Sequence, residues 1–248
     1  MKRTIKNTIC TLLFLILCSF TALFAYLYFF QPGERNLSGE WTAELDMSGR
    51  AAVTALDWLQ DIEGVSISLE EMESYMPDLT VRVNLGFQET ARSEGTFHSG
   101  ILPESYEACS QAAYEAFALA FRSLVAERLR MAGYTGSMDG ESIEALVDET
   151  FGMSTVAYLT TCCPALLPSL EELQAQYDGS GTYTALEGVL TRQFEAGGPG
   201  AVRAERYIRK GPNLILSGEA EDASGTVSLD SAETHYPVIY TLSQAENR

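Results

Sequence analysis

Few residue types in this chain could carry chemistry, and their spacing narrows what that chemistry could be. There are two histidines, His98 and His235, five cysteines and 34 acidic residues. A Ser-His-Asp arrangement needs its nucleophile on a sharp turn, with base and orienting carboxylate converging on it. The chain holds no GxSxG, SxxK or HExxH. Both histidines therefore read as polar residues at strand ends, and a metal site becomes testable only if they meet in space. Acidic groups such as Glu70/Glu71/Glu73 and Glu141/Glu144/Asp148 are so frequent that they read as solvated helix faces. A glycosidase dyad would need two of them about 5–9.5 Å apart across a cleft. Asp222–Gly225 lacks the alternating oxygen ligands of a calcium loop.

The basic residues are more telling because they are scarce. Arg203, Arg206, Arg209 and Lys210 fall within eight positions. In an extended strand, Arg203, Glu205, Tyr207 and Arg209 share one face, and Arg206 and Lys210 the other. Pairing with the domain's own carboxylates is the expectation for this cluster, and a recognition patch for an anionic ligand is the alternative. Cys10 and Cys18 lie in an apolar N-terminal stretch, leaving Cys109 and the adjacent Cys162-Cys163 beyond it. With no CxxC and no paired framework, neither a disulfide scaffold nor a structural zinc site is indicated. Buried thiols are expected, a single bridge from Cys109 to Cys162 or Cys163 being the alternative.

The elements that must position these residues begin with the apolar stretch itself. Residues 8–30 contain no charge, Gly or Pro. As a helix they would reach roughly 35 Å, enough for a hydrocarbon core of about 30 Å. Lys2, Arg3 and Lys6 precede the stretch, which places the N-terminus in the cytoplasm and residues from about 31 onward outside. A cleaved signal peptide fits less well, because the stretch is long and Leu23 and Phe20 spoil the small-x-small sites. A lipidated Cys18 is disfavoured by the bulky Leu17 before it. All 34 acidic residues lie beyond the stretch against 13 of the 16 basic ones, a net charge of −21. Such a field repels nucleic acid and anionic lipid headgroups and argues against either as a natural partner of the domain.

Outside the apolar stretch, strict alternation over Glu40–Met47 and Asp78–Gln88 predicts half-buried antiparallel strands. A turn near 89–93 would return the chain as a hairpin through Gly95–Ser99. Helices are expected over 50–60 and after the capping box Ser68-Leu69-Glu70-Glu71. A long amphipathic helix should run from Pro103 to Gly133, followed by helices at 141–151, after Ser154 and after Ser169-Leu170-Glu171-Glu172. Strands then resume: 181–186, 189–194, 201–210, 213–217, 226–229 and a closing one through Tyr236, Val238, Tyr240 and Leu242. The total is about eight or nine strands, with a helical block after the third.

That order resembles the lipocalin-like (calycin-type) extracytoplasmic domains of membrane-anchored Gram-positive bacterial proteins of unknown function. The residues carrying the resemblance are Gly39-Glu40-Trp41, Gly95-Thr96-Phe97, Gly181-Thr182-Tyr183 and Tyr236-Pro237-Val238-Ile239-Tyr240. In lipocalins the Gly-x-Trp tryptophan plugs the barrel base and an arginine late in the chain packs across it. Trp41 matches, but no Arg or Lys lies between Gly211 and Glu246, so that partner is missing from the expected place.

The reading is thus an α+β chain: a cytoplasmic tail (1–7), a transmembrane signal anchor (8–30), a linker (31–37) and an antiparallel lipocalin-like meander or barrel (38–243) with a helical insertion at about 102–178. Its expected role is that of a non-enzymatic, membrane-tethered binding or interaction module on the extracellular side. A small apolar ligand in the barrel, or a protein partner, would be held by Trp41, Phe87, Phe97 and Tyr183, with Arg203, Arg206 and Arg209 as a cationic patch for an anionic ligand or partner. No cofactor is expected. A cell-surface hydrolase with an acidic dyad and a structural or sensory ectodomain are the alternatives.

Overall fold

A computed structural model of the chain describes residue 14 and residues 16–23, 36–60, 67–197, 201–220 and 236–243. Within the apolar stretch, residues 14 and 16–23 are helical and the remainder lies outside the described residues. No helix of the described residues is long and apolar enough to cross a membrane. His235 and the expected strand at 226–229 also lie outside the described residues.

Eight strands close into an antiparallel barrel in sequence order, an architecture compatible with a lipocalin-like fold. They are β1 (Gly39–Asp46), β2 (Thr80–Ala91), β3 (Glu94–Ile101), β4 (Gly179–Leu186), β5 (Val189–Phe194), β6 (Val202–Lys210), β7 (Asn213–Glu219) and β8 (Val238–Leu242). The helices are α1 (Ser48–Gln60), α2 (Leu69–Tyr75), α3 (Pro103–Met131), α4 (Gly140–Phe151), α5 (Thr155–Cys162) and α6 (Leu170–Tyr177). The last four form the expected block after the third strand. The chain divides into two compact units, and the division falls within β1, β2 and β3. The barrel unit holds residues up to Trp41, Gly86–His98 and the chain from Gly179; the helical unit holds Thr42–Leu85 and Ser99–Asp178.

In the barrel unit the period-two pattern sends Trp41, Phe87, Phe97, Tyr183, Ala185, Leu190, Tyr207, Leu214, Leu216, Val238 and Tyr240 into the core. Two glycines permit close strand approach in matched positions of successive hairpins. A Cβ on Gly95 would lie 2.1 Å from the Gln88 carbonyl oxygen, and one on Gly181 would lie 1.9 Å from that of Gln193. A third, Gly86, leaves room for the His98 imidazole to cross the strand and meet Glu40 at 3.3 Å, both side chains largely exposed. His98 thus sits within β3 rather than at its end, paired with a carboxylate.

The helical unit is organised around α3, against which α2, α4 and α5 pack. Pro103 occupies its first turn, and the chain leaves it through Gly133 at φ 81°, with Tyr134 N–H donating to the Leu129 carbonyl. Trp58 of α1 packs edge-on against Phe117 of α3 at 5.8 Å and beside Phe121 at 6.3 Å. Four other helix starts, those of α2, α4, α5 and α6, have side-chain caps. Ser68, Asp139, Ser154 and Ser169 accept from the third residue onward, and Ser169 and Glu172 form a complete capping box.

Candidate functional site

The barrel interior gathers most of the residues the sequence singled out. Trp41, Phe87, Phe97 and Tyr183 are each at most 5% exposed. Phe87 meets Tyr183 edge-on at 4.8 Å, and Phe97 meets Phe194 in the same way at 5.0 Å. Edge-to-face contact at these separations is the favourable geometry for aromatic pairs. An eight-stranded barrel is just wide enough for side chains to fill it or for one small ligand to occupy it.

Charge also enters this interior. Leu190 stands opposite Glu205 and Arg192 opposite Arg203 in the β5–β6 register, so Arg192 reaches Glu205 diagonally. Arg192 Nε and Nη2 donate to Glu205 Oε2 at 3.0 and 2.5 Å, and Tyr236 donates its hydroxyl to Glu205 Oε1 at 2.9 Å. Both carboxylate oxygens are satisfied, which a buried charge requires. Burial, and then the Glu205 carboxylate, push the Tyr236 phenol far above its ordinary range, so it remains a donor. Burial, followed by Glu89, likewise raises Tyr183 to about 12. The Arg192 guanidinium lies 5.6 and 5.7 Å from the Phe97 and Phe194 ring centres, and Arg203 lies 5.1 Å from Phe194. One ring thus faces both cations that the register places opposite each other.

The arginine that was missing from the end of the chain comes from β6. Arg209 lies over the Trp41 ring at 5.3 Å and donates from Nη1 to the Asn36 carbonyl. Trp41 in turn donates its indole N–H to the Leu37 carbonyl at 2.8 Å. The basic cluster therefore splits: Arg203 and Arg209 serve aromatic rings on the inner face, while Arg206 and Lys210 point outward and are exposed. Neither Arg206 nor Lys210 makes an ion pair among the described residues. Three residues of this interior were not among the expected site residues: Arg192, Glu205 and Tyr236. The alternation Leu190, Arg192, Phe194 is the signal that carries Arg192 inward.

The helical unit offers a second arrangement, an open groove of about 970 Å³ bordered by Arg122, Asp139, Glu141, Glu144 and Asp148. Glu144 accepts from Arg122 Nη1 at 2.5 Å and from the Thr155 N–H and hydroxyl at 2.8 and 2.7 Å. Burial raises its pKa, but these donors together outweigh it and the net shift is downward. Hydrogen bonds from Ser137 and Ser142 hold Asp139 down at about 2. A hydrolytic dyad needs one carboxyl raised to act as acid; both groove carboxylates that shift go down.

The thiols are free at the four described cysteines, so Cys109 forms no bridge to Cys162 or Cys163. Burial raises Cys109 to about 11 and Cys163 to about 12, with smaller contributions from Asp46 and Cys162. Such thiols stay protonated at neutral pH and are poor nucleophiles. Compared with known proteins, the chain matches no family model, no curated protein and no solved structure.

Proposed function

We propose that the chain is a membrane-tethered, extracytoplasmic interaction module of lipocalin-like type, in which the barrel is a scaffold and partners are met on the outside. Residues 8–30 anchor it in the cell membrane with the N-terminus in the cytoplasm. The observation that carries this reading is the barrel interior, where interlocked rings and the Arg192–Glu205–Tyr236 network occupy the place of a ligand. An apolar guest would have to displace rings in edge-to-face contact and lie against a buried ion pair. The helical unit meanwhile exposes Leu119, Met131, Tyr134 and Phe151, apolar surface of the kind protein partners cover. A non-enzymatic role is favoured by the protonated thiols and by the downward shifts in the acidic groove. Organic extraction of the purified full-length chain, read by mass spectrometry, is expected to release bilayer lipids in no fixed ratio. A single apolar compound recovered in equimolar amount would overturn the scaffold reading.

A further inference from the structure

Among the described residues, the outer face of the barrel carries an apolar row with exposed members. In the β6–β7–β8 register, Ile208 stands opposite Ile215 and Ile215 opposite Ile239, so three isoleucines lie side by side across three strands. Ile208 and Ile239 are each more than half exposed. The neighbouring outer row adds Leu186 and Val189 opposite Arg206, with Leu186 also more than half exposed. On β6 the exposed cations Arg206 and Lys210 flank Ile208 on either side. Soluble surfaces scatter such residues singly; a contiguous row bordered by cations is a binding face.

Its position names the occupant. The row lies beside the barrel end formed by the start of β1, the β6–β7 turn and the end of β8, where Leu242 N–H donates to the Pro212 carbonyl and Ser243 N–H to that of Glu40. The chain enters at this same end: Asn36 is held by Arg209, the residue after Ile208. From Phe30, the last residue of the apolar stretch, to Asn36 is at most about 20 Å of extended chain. The tether therefore keeps this end of the barrel at the membrane surface. Two residues up β6 from Lys210, about 7 Å, lies Ile208, within the depth of about 5–10 Å at which apolar faces enter the headgroup boundary.

We infer that Ile208, Ile215 and Ile239, with Leu186, form a membrane-contact face that seats the barrel on the outer leaflet, Arg206 and Lys210 meeting lipid phosphates. This rests on the membrane-anchor reading above. The domain as a whole is strongly acidic, so these two cations mark the one edge of the β6–β8 face suited to headgroups.

The test places the full-length chain in phosphatidylcholine vesicles containing a minority of phosphatidylglycerol, with acyl chains brominated to quench tryptophan. Ile208→Trp is compared with Val202→Trp, an exposed position on the same outer face of β6 but about 20 Å further from the tethered end. Quenching by brominated lipid is expected to be severalfold stronger at 208 than at 202. Equal quenching in a chain that floats with the vesicles overturns the contact face while leaving the anchor intact. Failure to float at all removes the anchor reading instead. A tryptophan at 208 that is shielded from aqueous acrylamide yet not quenched by lipid assigns the face to a second copy or another protein, and also overturns the proposal.

Discussion

Among the described residues, the barrel unit and the helical unit each hold an arginine–glutamate pair at 2.5 Å, and the two pairs do different things. Arg192 and Glu205 are 7% and 4% exposed, enclosed by rings, and Tyr236 completes the carboxylate. Arg122 and Glu144 are 23% and 30% exposed, and Glu144 spends its remaining capacity on the first N–H of α5 through Thr155. Equal distance does not mean equal energy. In the barrel the desolvated charges tolerate no loss of a partner; in the helical unit water can substitute for one. The barrel pair fixes which side chains fill an interior, whereas the other pins three helices at a joint.

Removing one member of each pair breaks the comparison most sharply. Glu205→Leu should cost about 3–5 kcal/mol in urea unfolding, because it strands the Arg192 charge and strips Tyr236 of its acceptor. Replacing both, as Arg192→Met with Glu205→Leu, should recover most of that loss. If the single and double variants are equally destabilised, the pair is not the unit described. Gly181→Ala forces a Cβ against the Gln193 carbonyl and should cost about 2–3 kcal/mol, visible as a lowered Tm. Arg209→Ala removes the cation over Trp41 and a bond to Asn36, with an expected loss of about 1–2 kcal/mol. Chemical denaturation followed by Trp41 fluorescence reads it directly.

The smallest effect belongs to the exposed pair. Glu144→Gln should lower stability by roughly 1 kcal/mol or less once solvent screening is allowed for. Its pH dependence is more diagnostic than its size. The folded pKa of Glu144 lies below its ordinary 4.5, so its contribution is complete above that value and is lost as pH falls through the folded pKa. Wild type and Glu144→Gln should therefore differ at neutral pH and converge on acidification below the ordinary carboxylate range. A constant difference across that window would show that the carboxylate charge is not what binds the joint.

Much of the architecture was legible because it rests on local signals. Alternation over β1 and β2 declared their inner faces, and Ser154, Ser169 and Gly133 marked helix boundaries through capping chemistry that needs no distant partner. The interior chemistry was harder to read. Glu205 shares a strand face with Arg203 and Arg209, and sequence names no particular carboxylate as partner of the basic cluster. The partner of Glu205, Arg192, lies on the preceding strand and is selected by register. Arg209 reads in sequence as part of a surface patch for the same reason, whereas it lies over Trp41. Its place over Trp41 depends on the closure of β8 onto β1, a non-local event with no sequence spacing of its own. The cysteines were legible as buried thiols at Cys109, where helical periodicity points inward, while Cys162 is exposed.

The claim that the barrel is a filled scaffold rather than a vessel is tested most directly by xenon uptake. Xenon enters dry apolar cavities and leaves packed cores unoccupied. For the full-length chain, amide resonances around Trp41, Phe87, Phe97 and Tyr183 should stay unmoved under xenon pressure. A saturable shift centred on those four residues would reveal an internal void and contradict the account.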